Sequence, residues 1–186
     1  MSVEPRALAP HANLLLLCTG NAARSVMAGY MVDRRAQDLK LALAVRTAGT
    51  HVVEGQPMSM RTRAGLAAVG PLGEVPAASH RSHQLTADDL EWADLVVVME
   101  ADHVRFVRRH HPDAAPRTAT LRRLCRELTP GPDALGGRVA GLGLAAVELE
   151  AWEDVADPAG GEVEDYVACA LELWSLCGEL VTLVGG

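Results

Sequence analysis

Leu14-Leu15-Leu16-Leu17-Cys18-Thr19-Gly20-Asn21-Ala22-Ala23-Arg24-Ser25 is the stretch on which the reading of this chain turns. From Asn13 to Leu17 the apolar run is short, continuous and without alternation, the pattern of a strand buried on both faces, and a glycine-containing turn follows it. From about Ser25 onward, Val26, Met27, Tyr30 and Met31 fall on one side at helical spacing, with Asp33, Arg34 and Arg35 toward the end. The segment therefore reads as strand, loop, helix.

That order gives Cys18 its interest. A cysteine between the end of a buried strand and the start of a helix meets backbone N–H groups and the positive end of the helix dipole, and both stabilise a thiolate. Thr19, Gly20, Asn21, Ala22 and Ala23 are mostly small, with Gly20 expected to take unusual dihedrals, so the loop can curl until its N–H groups converge on a tetrahedral oxyanion. Arg24 closes this phosphate-binding cup, because a guanidinium fork grips two phosphate oxygens at once. A bare Cys-x5-Arg arises by chance; what distinguishes this one is the strand before it, Gly-Asn within it and Arg-Ser opening the helix after it.

The alternation continues outward. Leu41 to Arg46 reads as a strand, Arg61 to Val69 as a helix stopped by Gly70-Pro71, and Thr86 with Asp89 as the cap of a short helix through Trp92. Asp94 to Met99 is a second buried strand, Ala101 to Arg109 a helix and Thr118 to Leu121 a last strand, with one face of a long C-terminal helix running from Glu162 to Val184. Strands alternating with helices predict an α/β domain: a four-stranded parallel sheet flanked by helices on both faces, with the site beyond Leu17 in the loop after the first strand. Residues 1–12 carry two prolines and no periodicity and are read as a flexible arm, leaving 13–186 as a single domain. Thr129 to Ala146 holds five glycines and two prolines and is read as a flexible, inserted surface loop, since it contains no Gly-x-Gly-x-x-Gly or Walker spacing.

Composition bounds the function. At 186 residues and 49% hydrophobic content the chain has material for one sizeable core. A formal charge of −7 argues against nucleic acid and anionic membranes as partners, so an anionic substrate has to be attracted locally. The apolar run Leu14 to Cys18 is well short of a bilayer span, and no basic-then-apolar leader opens the chain, so a cytoplasmic location is expected. Cys18, Cys125, Cys169 and Cys177 are too few for a disulfide scaffold and contain no Cys-x-x-Cys pair for zinc, which leaves one thiol available for catalysis in a reducing compartment.

With these residues in place, the sequence resembles the low-molecular-weight protein tyrosine phosphatase family, whose signature is Cys-x-Gly-Asn-x-x-Arg-Ser near the N-terminus. Cys18, Gly20, Asn21, Arg24 and Ser25 match it in order, followed by Thr47-Ala48-Gly49-Thr50, Gly55 and Pro57, His80-Arg81-Ser82, Ala93-Asp94-Leu95 and Asp157-Pro158 before Gly160-Gly161. The resemblance implies that Cys18 is the nucleophile, Arg24 the phosphate clamp and Asp157 the general acid, with Thr19 to Arg24 binding the phosphate. It also implies that Ser25, Thr47 and His80 support the loop, alongside Asn21, and that no metal or other cofactor is needed. The substrate it implies is a phosphorylated protein or small phosphomonoester, protein phosphotyrosine first.

The rim departs from that pattern. Ala22 and Ala23 stand where relatives have a branched residue and a second cysteine, His51 lies near an aromatic position, and Ala159 follows Asp157-Pro158 where tyrosine or phenylalanine is usual. Trp152 is one candidate to replace the lost aromatic, and packing against the C-terminal helix is its other reading. These departures bear on the leaving group and keep two alternatives open: phosphatase action on another residue such as phosphoarginine, and arsenate reduction on the same fold, for which Cys125 is a possible partner thiol. A non-catalytic phosphate-binding module is disfavoured because Cys18, Arg24 and Asp157 are all present.

Overall fold

A computed structural model describes residues 12–186, so the expected arm at 1–12 lies outside the described residues except for Ala12, which already belongs to the first strand. The strands are β1 (Ala12–Cys18), β2 (Leu43–Gly49), β3 (Leu95–Val98) and β4 (Thr118–Thr120). The helices are α1 (Arg24–Asp38), α2 (Met60–Ala68), α3 (Ala87–Trp92), α4 (Ala101–His110), α5 (Leu121–Glu127), α6 (Leu135–Ala140) and α7 (Val163–Gly185). The four strands form one parallel sheet in the order β2-β1-β3-β4. β1 is central, and its two neighbours are reached by connections that leave in opposite directions. The carboxyl end of β1, where Cys18 sits, is thus the switch point at which doubly wound sheets bind ligands.

Alternation along β1 builds both layers. Leu14, Leu16 and Cys18 face the core shared by α1, α2, α5, α6 and α7, while Leu15 and Leu17 face α3 and α4. Burying each of these leucines contributes roughly 1.5–3 kcal/mol, so register in this strand is firmly set. α7 is long and apolar enough to cross a membrane by length and composition, with a mean hydropathy of 1.7. In this fold it is instead a core helix: Tyr166, Ala170, Leu173, Cys177 and Val181 lie on its buried side, and it packs across α1 and α2.

Three expectations are corrected. The second strand, expected at Leu41 to Arg46, runs from Leu43 to Gly49; Leu41 sits in the connection, packed on the core. The segment 129–146, expected as a flexible loop, carries α6 and buries Leu135, Val139 and Leu144. Its glycines dilute helix propensity, but three anchors near helical spacing override it by burial, and Arg138 bonds the carbonyls of Leu183 and Val184 at the end of α7. Trp152 lies beneath Arg126, whose guanidinium is 4.5 Å from the ring centre, rather than at the rim.

A buried ion pair fixes the approach to Asp157. Glu153 is fully buried and takes Arg123 Nη2 at 2.6 Å, Arg123 Nε at 2.9 Å and the Thr120 hydroxyl at 2.8 Å. These bonds hold the Glu153 carboxyl below its usual range despite its burial, which acts in the opposite sense. Beyond it the Val155 N–H donates to Met99 O at 2.8 Å, tying the chain to the end of β3.

Candidate active site

The loop from Cys18 to Arg24 is held by its carbonyls. Thr50 N donates to Cys18 O at 3.0 Å, His51 N to Thr19 O at 2.9 Å and the Thr62 hydroxyl to Ala22 O at 2.8 Å. Asn21 O accepts from His80 Nε2 at 2.9 Å and from the Ser82 hydroxyl at 2.8 Å. With the carbonyls engaged from outside, the N–H groups of Gly20 to Arg24 find no protein acceptor among the described residues and are left for an anion.

The unusual dihedral falls on Asn21, at φ +48°, and not on Gly20 as expected. Asparagine tolerates that region, and its side chain secures it: Oδ1 accepts from His83 N at 2.9 Å while Nδ2 donates to Ser25 Oγ at 3.0 Å. A glycine is required at Gly49, where a Cβ would lie 2.5 Å from Thr19 O and 2.8 Å from Asn21 N. Ser25 Oγ is 3.0 Å from Cys18 Sγ, so with the Asn21 amide on its lone pair the Ser25 hydroxyl can donate to the thiolate.

Arg24 is 1% exposed and held on three sides. Nη1 donates to Glu100 Oε2 at 2.8 Å and to Val155 O at 3.1 Å, and Nη2 to Asp157 Oδ2 at 2.6 Å. Burial disfavours its charge, but the Glu100 bond and the negative charges of Asp157, Glu100 and Cys18 outweigh it and leave the guanidinium more basic than usual. Nε–H and one Nη2–H lack acceptors among the described residues; they form the edge that grips a tetrahedral anion side-on. Asp157 reaches the cup from the loop after Val155 with 39% of its side chain exposed, and Ala159 N binds its other oxygen at 3.1 Å. Asp154 caps α4 instead, accepting from Ala101 N at 2.7 Å.

The structure thus gathers Cys18, Thr19, Asn21, Arg24, Ser25, His80 and Asp157 around one cup, with Gly20 and Ala23 in its wall and Ala22 exposed at its mouth. It does not bring Thr47 there. Thr47 pairs with Leu16, one pleat below Cys18, and packs on Gly29 of α1. Among the described residues no group of three His, Cys, Asp or Glu side chains is placed to hold a metal ion.

Sequence reasoning missed Glu100 and His103. Glu100 follows β3 as Cys18 ends β1, and the rule that sites gather at the carboxyl ends of parallel strands could have found it. His103 is 3% exposed; its Nε2 lies 3.0 Å from Thr19 Oγ1 and 3.2 Å from Glu100 Oε1. The Glu100 carboxylate only accepts, so Nε2 carries the proton, and Nδ1 is buried with no partner among the described residues. Burial first, then the Arg24 charge, lower this histidine to about 4. The unfolded chain therefore takes up a proton as pH falls through about 6.5 while the folded protein does not. Stability present above that pH is lost toward pH 4, by up to about 3 kcal/mol. His103→Gln should flatten this part of the pH dependence in urea unfolding between pH 7 and 4.5; an unchanged slope would place the titration elsewhere.

Comparison with known proteins agrees with this geometry. The family model described as low molecular weight phosphotyrosine protein phosphatase matches residues 13–129. A protein-arginine-phosphatase from Geobacillus stearothermophilus is 29% identical over 167 residues, covering 90% of this chain and 92% of its own length. A low molecular weight protein-tyrosine-phosphatase from Streptomyces coelicolor is 32% identical over 158 residues, covering 82% and 81%. Among solved structures, the low molecular weight protein tyrosine phosphatase from T. tengcongensis superposes with a TM-score of 0.71 at 26% identity, over 91% of this chain and 97% of that one.

Proposed function

Because the chain belongs to the low molecular weight phosphotyrosine protein phosphatase family, and is thereby a cysteine-dependent phosphatase, we propose that Cys18 is its nucleophile, Arg24 its phosphate clamp and Asp157 its general acid, acting on protein phosphotyrosine. The observation that carries this reading is the Arg24 fork, held 2.6 Å from Asp157 on the loop that begins at Cys18.

The Cys18 thiolate attacks phosphorus in line as the ester P–O bond breaks, and the leaving oxygen takes the electron pair and a proton from the Asp157 carboxyl. The loop N–H groups and the free edge of Arg24 hold the equatorial oxygens, whose charge they stabilise in the transition state. The Asp157 carboxylate then takes a proton from water, whose oxygen attacks the phosphocysteine. The S–P bond breaks, regenerating the thiolate and releasing phosphate.

A second reading is favoured by the extent of the Geobacillus relative named a protein-arginine-phosphatase and by the alanine at position 159, which leaves no tyrosine or phenylalanine beside the acid. Arsenate reduction has less support: Cys125 and Cys169 are pushed up to about 12, chiefly by burial, and Cys177 is pushed up as well, so none is poised as an attacking thiolate. Three such unreactive thiols fit a reducing cytoplasm, the location we propose.

Profiling phosphotyrosine, phosphoarginine and phosphoserine peptides beside arsenate decides among these readings. Phosphotyrosine is expected to give the highest kcat/KM. Turnover confined to phosphoarginine would select the second reading, and thiol-dependent arsenate reduction without phosphatase activity would overturn both.

A further inference from the structure

A groove of about 500 Å³ opens beside the cup, with Thr19, Thr50 and His51 on one wall and α4 on the other. The α4 wall is a single helical stripe, since the rows Asp102, Arg105, Arg109 and Asp102, Phe106, His110 each step by three or four residues. The stripe starts where Glu100 holds Arg24 and His103 meets Thr19, so the groove is continuous with the cup. From Asp102 to His110 it runs about 12 Å, at 1.5 Å per residue, the length of three to four residues of extended peptide.

Its middle is aromatic and its far end basic. Phe106 meets His51 edge-on at 5.7 Å and His110 at 4.7 Å. The acids of the groove are already engaged: Glu100 by Arg24 and His103, and Asp102 by Arg105 at 2.6 Å. Arg109 has no acidic partner among the described residues, and Arg105, half exposed, keeps further donors turned outward. With Glu100 held by Arg24 and Asp102 by Arg105, Arg109 leaves a positive charge without an acidic partner among the described residues at the far end of the groove, on a chain of net charge −7 whose cup must attract an anion.

Resting on the phosphatase reading above, we propose that this groove docks the substrate polypeptide by an acidic side chain two or three residues from the phosphorylated one. The cup fixes the phosphoryl group, Phe106 and His51 support the intervening backbone, and Arg105 and Arg109 receive the carboxylate in their guanidinium forks.

The test uses the full chain and two series of phosphopeptides, one on phosphotyrosine and one on phosphoarginine, differing only by Asp, Asn or Lys two and three positions to either side. The readout is the Asp-to-Asn ratio of kcat/KM within each enzyme. At low ionic strength this ratio is expected at about 3- to 10-fold on one side of the phosphorylated residue, the scale of one or two exposed ion pairs, and it should shrink in 0.5 M salt. Arg105→Gln/Arg109→Gln should bring it to about one. Arg109→Glu should invert it in favour of Lys over Asn, which a misfolded enzyme cannot do. A wild-type ratio of one with good turnover of both peptides and of para-nitrophenyl phosphate would overturn the groove and leave the phosphatase standing. Absence of turnover with all three would overturn the reading beneath it. A ratio that persists unchanged in the double variant would place the docking elsewhere.

Discussion

Cys18→Ser is expected to reduce hydrolysis of para-nitrophenyl phosphate by roughly 10⁴-fold or more, the scale on which removing a covalent nucleophile acts, while the protein still folds and still binds oxyanions. The serine hydroxyl does not ionise near neutral pH, so the attacking anion is lost. The cup is not, because it is held by the carbonyl bonds of Cys18, Thr19, Asn21 and Ala22 and by the Asn21 side chain, none of which uses the thiol. Phosphate or vanadate should therefore raise the melting temperature of the variant about as much as that of the wild type. Turnover within about tenfold of wild type would remove Cys18 from the mechanism; loss of oxyanion binding would mean that the thiol holds the cup together.

The second large effect separates proton donation from phosphate binding. Asp157→Asn keeps an oxygen for Arg24 Nη2, now 2.6 Å from Asp157 Oδ2, but has no proton to give. Phosphotyrosine, a poor leaving group, should slow by about 10²- to 10⁴-fold, the usual contribution of general acid catalysis. Para-nitrophenyl phosphate should slow far less, because its phenolate departs readily. Equal slowing of both esters would make Asp157 structural. Asp154→Asn is the control, since that carboxylate is engaged with the N-terminus of α4.

The uneven legibility of the site has a physical pattern. Cys18, Gly20, Asn21, Arg24 and Ser25 were legible because a phosphate cup is built from one continuous loop, whose residues are close in space because they are close in sequence. His80 and Asp157 were legible only through the family resemblance, and Glu100 and His103 were missed, because these residues reach the cup from segments distant from the loop in sequence. Thr47 shows the reverse error: it stands in a matching motif, yet the pleat turns it toward α1.

Taken alone, the sequence determined the α/β class, the four parallel strands and the place of the cup, because apolar runs, helical spacing and stop residues act locally. It also determined the helix Ala87–Trp92, whose cap Thr86 and partner Asp89 lie three residues apart. Only the tertiary structure decided that the glycine-rich segment 129–146 carries the short helix Leu135–Ala140, that Arg123 and Glu153 pair beneath the acid loop, and that Arg24 is shared by Glu100 and Asp157. Each of these depends on burial against residues distant in the chain, and burial can override weak helix propensity or make a distant ion pair close, which local periodicity does not encode.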